Sequence, residues 1–209
     1  MKFKKTIFIS IFCLLPLCLL AQDISLIQKI RQSPELQKQL QVWLMQTIQI
    51  WQGENIKLHY PADSLFQKPL AVFVTAKKNG EVRGCVGTLL PREKSLADEI
   101  LKNLKMAFSQ DPRHRPIQKD EVPGMEIYIS ALSSPKLLSK PYQINPARDA
   151  ILMRSGSKEA LALPGEAKTL RYLIAFLKAK AGLRNPDPYL LYRLQSESVG
   201  VIMPPVSFE

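Results

Sequence analysis

The sequence has few of the residues that build metal centres and disulfides. It holds 3 cysteines and 2 histidines in 209 residues, and Cys13 and Cys18 both lie in an apolar run near its start. Only Cys85 remains for the rest of the chain, so no internal disulfide can form there. One cysteine and two histidines also exclude Cys-rich zinc sites and three-histidine centres, which leaves only a carboxylate-assisted site conceivable. We therefore expect a fold held by its apolar core, and no metal.

The motifs of several common enzyme classes are missing as well. There is no Gly-x-Ser-x-Gly elbow and no glycine pattern for a dinucleotide, and residues 165–169 lack the Gly-Lys pair of a phosphate loop. These absences argue against hydrolase, nucleotide-dependent and dehydrogenase chemistry. With 46% hydrophobic and 22% charged residues, the composition is that of a globular protein and excludes collagen-like and polytopic membrane classes.

A charge-free run occupies residues 7–21, behind three lysines in the first five residues. This layout is typical of a secretory signal peptide. The run is shorter than the ~20 apolar residues of a spanning helix, and Pro16 interrupts it. We expect residues 1–21 to be a signal peptide cleaved near Ala21. Residues 22–209 would then form one exported domain, periplasmic or extracellular, with no stable membrane span.

The residues around the leader cysteines argue against a lipid anchor. Cys13 follows Phe12 and Cys18 follows Leu17, whereas a lipoprotein signal places a small residue before the modified cysteine. Without the leader, 26 Lys and Arg face 18 Asp and Glu, a formal charge of +8. In an exported protein this excess favours anionic small molecules, envelope surfaces or simple solubility, and we expect no nucleic acid partner.

The hydrophobic pattern predicts an α+β fold in which antiparallel hairpins are flanked by about three amphipathic helices. N-capping residues and helix-ending glycines indicate where the helices begin and end. The predicted helices run from Ser33-Pro34 to Gly53, from Ser95 to about Ser109, and from about Glu166 to Ala181. The predicted strands are Leu70 to Lys78, Glu81 to Leu90, Met125 to Leu132, Ala150 to Arg154, Glu159 to Leu163, and a terminal strand or pair within Tyr189 to Met203.

The clearest local signal is Asn79-Gly80 between the first two strands, because a two-residue type I′ turn requires positive φ at both positions. Such a turn would pair Arg83 with Ala76 and Cys85 with Val74. Arg83 and Cys85 would then share a strand face, about 6.6 Å apart. Both faces of the hairpin are mostly apolar, which predicts a central hairpin covered on two sides.

The segment Arg83-Gly84-Cys85-Val86-Gly87 is the main candidate site. Two glycines within a strand indicate a bulge, a bend, or the close approach of a ligand or another backbone. In one interpretation Cys85 is a catalytic nucleophile or redox thiol and Arg83 holds a substrate anion. In the other, Cys85 is a small buried hydrophobe. No base lies nearby in the sequence, which weakens the enzyme interpretation.

A second candidate is the loop Arg113-His114-Arg115, which could bind a carboxylate or phosphate through arginine, or could simply be exposed. The candidate ligand-binding residues are therefore Arg83, Gly84, Cys85, Gly87, Arg113 and His114, with Cys85 as the candidate catalytic residue.

The order of these motifs resembles the AMMECR family. The most specific element is Val82-Arg83-Gly84-Cys85-Val86-Gly87, which is similar to the family signature Leu-Arg-Gly-Cys-Ile-Gly, and the likeness runs from about Gln28 to Val201. The resemblance implies one α+β unit of two subdomains, with the signature near a cleft between them. The family has no settled biochemical activity, so the cofactor stays unknown. Bacterial members are often encoded beside Memo-type and radical-SAM proteins, but such partners are doubtful for an exported member.

Two departures limit what the resemblance implies. His114 stands where relatives commonly carry an aromatic residue, and Asn145 to Asp149 lacks a Gly-His-Gly-like stretch, so no histidine role is carried over. We expect an exported, mostly monomeric domain that binds a small anionic ligand or a partner protein in a cleft near Arg83 and Cys85. The alternatives are an enzyme with Cys85 as its reactive thiol and an envelope scaffold protein.

Overall fold

The computed structural model describes residues 22–140 and 143–204, and the leader predicted for residues 1–21 lies outside them. Two four-stranded antiparallel sheets organise the described chain, which confirms the α+β class. The strands are β1 (Phe73–Lys78), β2 (Glu81–Gly87), β3 (Glu126–Leu132), β4 (Lys136–Leu137), β5 (Ala150–Ser155), β6 (Lys158–Ala162), β7 (Leu190–Leu194) and β8 (Ser196–Ile202). The first sheet has the order β2-β1-β3-β8 and the second has the order β4-β7-β5-β6.

The described residues form four α-helices rather than three: α1 (Ser25–Gln32), α2 (Pro34–Trp51), α3 (Leu96–Ser109) and α4 (Leu170–Ala181). The sequence pattern missed α1 because it is only eight residues long and has no side-chain N-cap. The predicted caps of α2 and α3 are confirmed, since Ser33 and Ser95 accept the backbone N–H groups of Leu36 and Asp98. In α4 the helix begins later than expected, because Thr169 caps it.

Each sheet has its own apolar core. The helices α1 and α3 pack on one face of the first sheet, where alternate residues such as Val74 and Ile129 are fully buried, and α2 packs against both helices. The helix α4 covers the second sheet through Leu173 and Leu177. A smaller apolar cluster lies between the two sheets and joins Phe73 of β1 to residues of the second sheet. The molecule therefore consists of two subdomains whose sheets face each other.

The first hairpin forms with the predicted pairs next to the turn, Lys78 with Glu81 and Lys77 with Val82, but the predicted register is wrong beyond them. Asn79 and Gly80 have φ values of 53° and 81°, as the type I′ turn requires. A bulge then shifts the pairing by one residue, so that Thr75 pairs with Cys85 and Ala76 with Gly84. Arg83 is the extra residue on β2. The bulge turns Gly84 toward α3 and places Cys85 on the face of Thr75 instead of the face of Val74.

The hairpin is also not central, because β2 is an edge strand of the first sheet. One face of the hairpin packs on α3, and the other faces the second sheet. The second hairpin forms as expected, with its turn at Gly156-Ser157, one residue later than predicted. The predicted terminal strand or pair is two strands, β7 and β8, which belong to different sheets and do not pair with each other. Within residues 22–140 and 143–204, no helix has the length and apolar character to cross a membrane.

Candidate functional site

A cleft of about 550 Å³ opens between the two sheets. The edge strand β2 forms one wall and the edge strand β6 forms the other. Phe73, Cys85 and Arg113 line the first wall, and Leu161, Glu166 and Lys180 line the second. The volume is within the range of pockets that bind small molecules.

Two side chains from the loop after α3 occupy the outer edge of β2 at Cys85. The Asp111 Oδ2 atom accepts the Cys85 backbone N–H at 2.8 Å, and the Arg113 Nη2 atom donates to the Cys85 carbonyl at 2.7 Å. Arg113 also donates to Asp111 through Nε at 2.9 Å and Nη2 at 2.8 Å. The pair therefore bonds the edge of the strand as a neighbouring strand would, and it holds Arg113 at the cleft.

The charge states of this group follow from burial and hydrogen bonding. Burial disfavours the Asp111 carboxylate, but hydrogen bonds from Arg113 and from the Cys85 N–H outweigh it and lower the pKa of Asp111 to about 2. Burial raises the pKa of the Cys85 thiol, and the Glu166 carboxylate adds to this, against the lowering effects of Thr75 and Arg113. Asp111 is thus ionised at neutral pH, and Cys85 is a protonated thiol.

The structure places Arg83 away from Cys85. Its Nε and Nη2 atoms both donate to Glu121 Oε2, at 3.1 and 2.7 Å, and Glu121 also binds Arg115. Arg83 is not among the residues that line the cleft. Its contacts tie β2 to the segment Lys119–Glu121, so the predicted face shared by Arg83 and Cys85 does not form.

The two signature glycines make room for the protein's own backbone. A Cβ atom at Gly84 would lie 2.0 Å from the Ala107 carbonyl oxygen of α3, and one at Gly87 would lie 2.5 Å from the Val72 carbonyl oxygen and from Phe73 Cα. Close backbone approach was one of the predicted reasons for these glycines. Their missing side chains therefore do not create the cleft, although the backbone of Gly87 lines it.

Of the two candidate residues in the second loop, only one lines the cleft. Arg113 reaches the cleft, whereas His114 is half-buried and is not a lining residue. The His114 backbone N–H donates to the Asp111 carbonyl at 3.1 Å, which closes the turn that carries Arg113. Of the predicted site residues, the cleft thus brings together Cys85, Gly87 and Arg113.

Sequence reasoning missed five charged residues of the cleft: Asp111, Arg92, Glu159, Glu166 and Lys180. A local signal exists for Asp111, because an Asp two residues before Arg113 can accept its backbone N–H, as it does at 3.1 Å. The other four come from separate segments that only the tertiary structure brings together.

A buried carboxylate fixes the loop that carries Arg92. Glu99 of α3 is 1% exposed, and its Oε2 atom accepts the backbone N–H groups of Arg92 and Glu93, both at 2.9 Å. Its Oε1 atom accepts hydrogen bonds from Thr88 and Asn103, both at 3.2 Å. All four bonds satisfy a charge that would otherwise be costly to bury, and they hold the rim of the cleft. Within the described part of the chain, no cluster of His, Cys, Asp or Glu is placed to hold a metal ion.

The fold and the site together define a class of protein: an α+β domain of two sheets, with a glycine-rich edge strand beside the cleft between them. Sequence comparison gives this class its name, since the model of the AMMECR1 family matches residues 42–199. The chain belongs to the AMMECR1 family.

Relatives and a solved structure agree with this assignment. A protein of Thermotoga maritima is 32% identical over 139 residues, which cover 65% of this chain and 80% of that protein. A protein of Clostridium acetobutylicum is 30% identical over 134 residues, which cover 63% of this chain but 28% of that longer protein. The crystal structure of an uncharacterised protein from Pyrococcus horikoshii is similar in fold, with a TM-score of 0.60 and 20% identity, and the likeness covers 87% of this chain and 96% of that one.

Proposed function

We propose that the domain binds a small anionic ligand in the cleft beside Cys85. The observation that carries this proposal is a pair of cations on opposite walls, Arg92 and Lys180. Neither makes an ion pair with a residue in the described part of the chain. A concave site with two such cations suits a carboxylate or phosphate, because charge-assisted hydrogen bonds are among the strongest that a protein offers.

Most of the negative charge in the cleft is already matched. Asp111 pairs with Arg113, and Glu159 pairs with Arg154 at 3.0 Å. Glu166 has no cationic partner among the described residues, although it accepts the Leu163 backbone N–H at 3.0 Å. We place the anion between Arg92 and Lys180, with a hydrogen-bond donor of the ligand facing Glu166.

The contacts of Lys180 fix the position of its ammonium group in the cleft. Its Nζ atom donates to the Leu161 carbonyl at 2.7 Å and lies 5.3 Å from the centre of the Phe176 ring. These contacts use one of the three hydrogens of the ammonium group and leave the others for a ligand. Arg83 takes no part, because Glu121 already binds its guanidinium. A small ligand fits this concave site better than a partner protein does, and the proposal requires no reaction at Cys85.

The test is calorimetric titration of the purified protein with inorganic phosphate, citrate and glycerol 3-phosphate. We expect at least one of them to bind, and Arg92→Ala or Lys180→Ala to weaken binding roughly tenfold, the value of one charge-assisted hydrogen bond. Lys38→Ala is the matched control, since Lys38 is exposed on α2. Arg83→Ala should leave the affinity unchanged in a folded variant. Binding of none of the three anions, or equal binding by all variants, would refute the proposal.

We also propose that the protein is exported. The support is the charge-free run of residues 7–21 behind a lysine-rich start, together with the basic charge of the remaining chain. Export separates this protein from the cytosolic partners suggested by the family resemblance.

A further inference from the structure

A second cavity, of about 360 Å³, adjoins the cleft on the other side of Cys85. Cys85, Leu163 and Glu166 line both cavities. The two cavities therefore meet at one thiol, one apolar side chain and one carboxylate.

Five of the 13 residues that line this second cavity carry hydroxyl groups, and Lys77 adds one cation. Its floor is the face of the first sheet that the helices leave free, and it carries Thr75, Ser130, Ser196, Ser198 and Tyr128. The opposite face of the same strands is apolar and buried. Sheet geometry thus brings five hydroxyl side chains from three strands to the cavity, beside Lys77.

Two of these hydroxyls are buried although they are polar. Thr75 is 7% exposed and Ser130 is 8% exposed. Ser130 shares a hydrogen bond of 2.8 Å with Ser198, and Thr75 donates to the Cys85 sulfur at 3.2 Å. A hydroxyl has one donor and two acceptor positions, and sulfur is a weak acceptor. These groups therefore keep hydrogen-bonding capacity that their protein partners do not use.

We propose that the two cavities bind one elongated ligand, an anionic polyhydroxy compound such as a sugar phosphate or a sugar acid. The acid group lies between Arg92 and Lys180, and the hydroxyl chain passes Glu166 toward Ser130 and Ser198. A carboxylate accepts hydrogen bonds only, so Glu166 suits a hydroxyl of the ligand and repels a second anion. This inference rests on the proposed function and adds the chemical class of the ligand.

The experiment compares each whole ligand with its acid group alone, by calorimetric titration. Glucose 6-phosphate and ribose 5-phosphate are compared with inorganic phosphate, gluconate and glucuronate with acetate, and glucose serves as the neutral reference. We expect at least one sugar compound to bind tenfold or more tightly than its acid group alone, and glucose to bind far more weakly than that compound.

Substitutions in each cavity separate the contributions of the two cavities to binding. Ser130→Ala and Ser198→Ala should remove most of the sugar advantage and leave phosphate binding unchanged, whereas Arg92→Ala should weaken both. Ser157→Ala, at an exposed turn, is the control, and circular dichroism verifies folding. If phosphate binds through Arg92 but no sugar compound binds more tightly, the spanning ligand is refuted while the anion site stands. If no anion binds, both fail.

Discussion

At the scale of single residues, Cys85 contributes its backbone to the strand edge and its thiol to the cleft. Its backbone N–H and carbonyl are both bound by side chains, which fixes the strand, while its thiol faces the junction of two cavities. A cysteine attacks a substrate as its thiolate, and nearby positive charge usually lowers the pKa of the thiol so that the thiolate forms. Here burial raises the pKa of the thiol and Glu166 opposes ionisation. The environment therefore favours a thiol that contacts a ligand over one that attacks it.

Alkylation of native Cys85 should be slower than that of a free thiol at neutral pH. Glu166→Gln should speed it severalfold, because removing the carboxylate lowers the pKa of Cys85 and increases the thiolate fraction. The rate is measured with iodoacetamide and mass spectrometry. Glu159→Gln removes a cleft carboxylate that pairs with Arg154, and it should not change the rate. Alkylation faster than that of a free thiol would instead support the enzyme interpretation of Cys85.

Asp111 should make stability depend on acid pH. Its folded pKa of about 2 lies below the ordinary 3.8, so its contribution is present above about pH 4 and is lost as the pH falls toward 2. This shift corresponds to about 2 kcal/mol. Asp111→Asn should therefore lower the free energy of unfolding near neutral pH, with the gap to wild type closing between pH 4 and 2, as followed by urea denaturation. Asp120→Asn, at an exposed carboxylate, should show no such gap. A gap that stays constant with pH would contradict the assignment.

At the scale of elements, the sequence predicted what local chemistry determines. The caps at Ser33 and Ser95 and the Asn79-Gly80 turn all appear where their residue types require them. A bulge was one of the reasons that the sequence offered for the two glycines, but its position at Arg83, and so the register beyond it, could not be predicted. The close approach of α3 to Gly84 is a tertiary contact, which the sequence of the hairpin alone does not reveal.

Replacing Gly84 by alanine should therefore be strongly destabilising. The new Cβ would collide with a backbone oxygen of α3, which cannot turn away, and overpacking of this kind costs about 2 kcal/mol or more. Gly200→Ala is the matched control in the same sheet. Its Cβ would meet the Tyr128 ring at 2.9 Å, and a side chain can move. Thermal unfolding of the two variants checks this, and equal losses would show that the backbone contact is not decisive.

At the scale of the whole molecule, the cleft is assembled from segments far apart in sequence. The signature at residues 82–87 and the arginine loop were recognisable, since each combines unusual residues within a few positions. Arg92, Glu166 and Lys180 were not, because each is an ordinary charged residue in its own segment. Only the facing of the two sheets gives these three side chains a common site.

Export should leave a chain that begins at or near Gln22. The Gln22 side chain is part of the fold: its Nε2 donates to the Leu89 carbonyl at 2.6 Å and its Oε1 accepts the Ala71 N–H at 2.9 Å. Mass spectrometry of the protein from its native host checks the start, with Met1-containing peptides as the internal comparison. Intact Met1 in the membrane fraction would reverse the export proposal.

The hydrogen-bonded edge of β2 also affects whether copies of this protein can associate through that strand. An open strand edge offers free peptide groups to another chain, and repeated recruitment of this kind produces fibrils. At Cys85 those groups are already taken by Asp111 and Arg113. The same two side chains, one of which is the Arg113 cation at the cleft, should thus hinder crowded molecules from stacking edge to edge at this position.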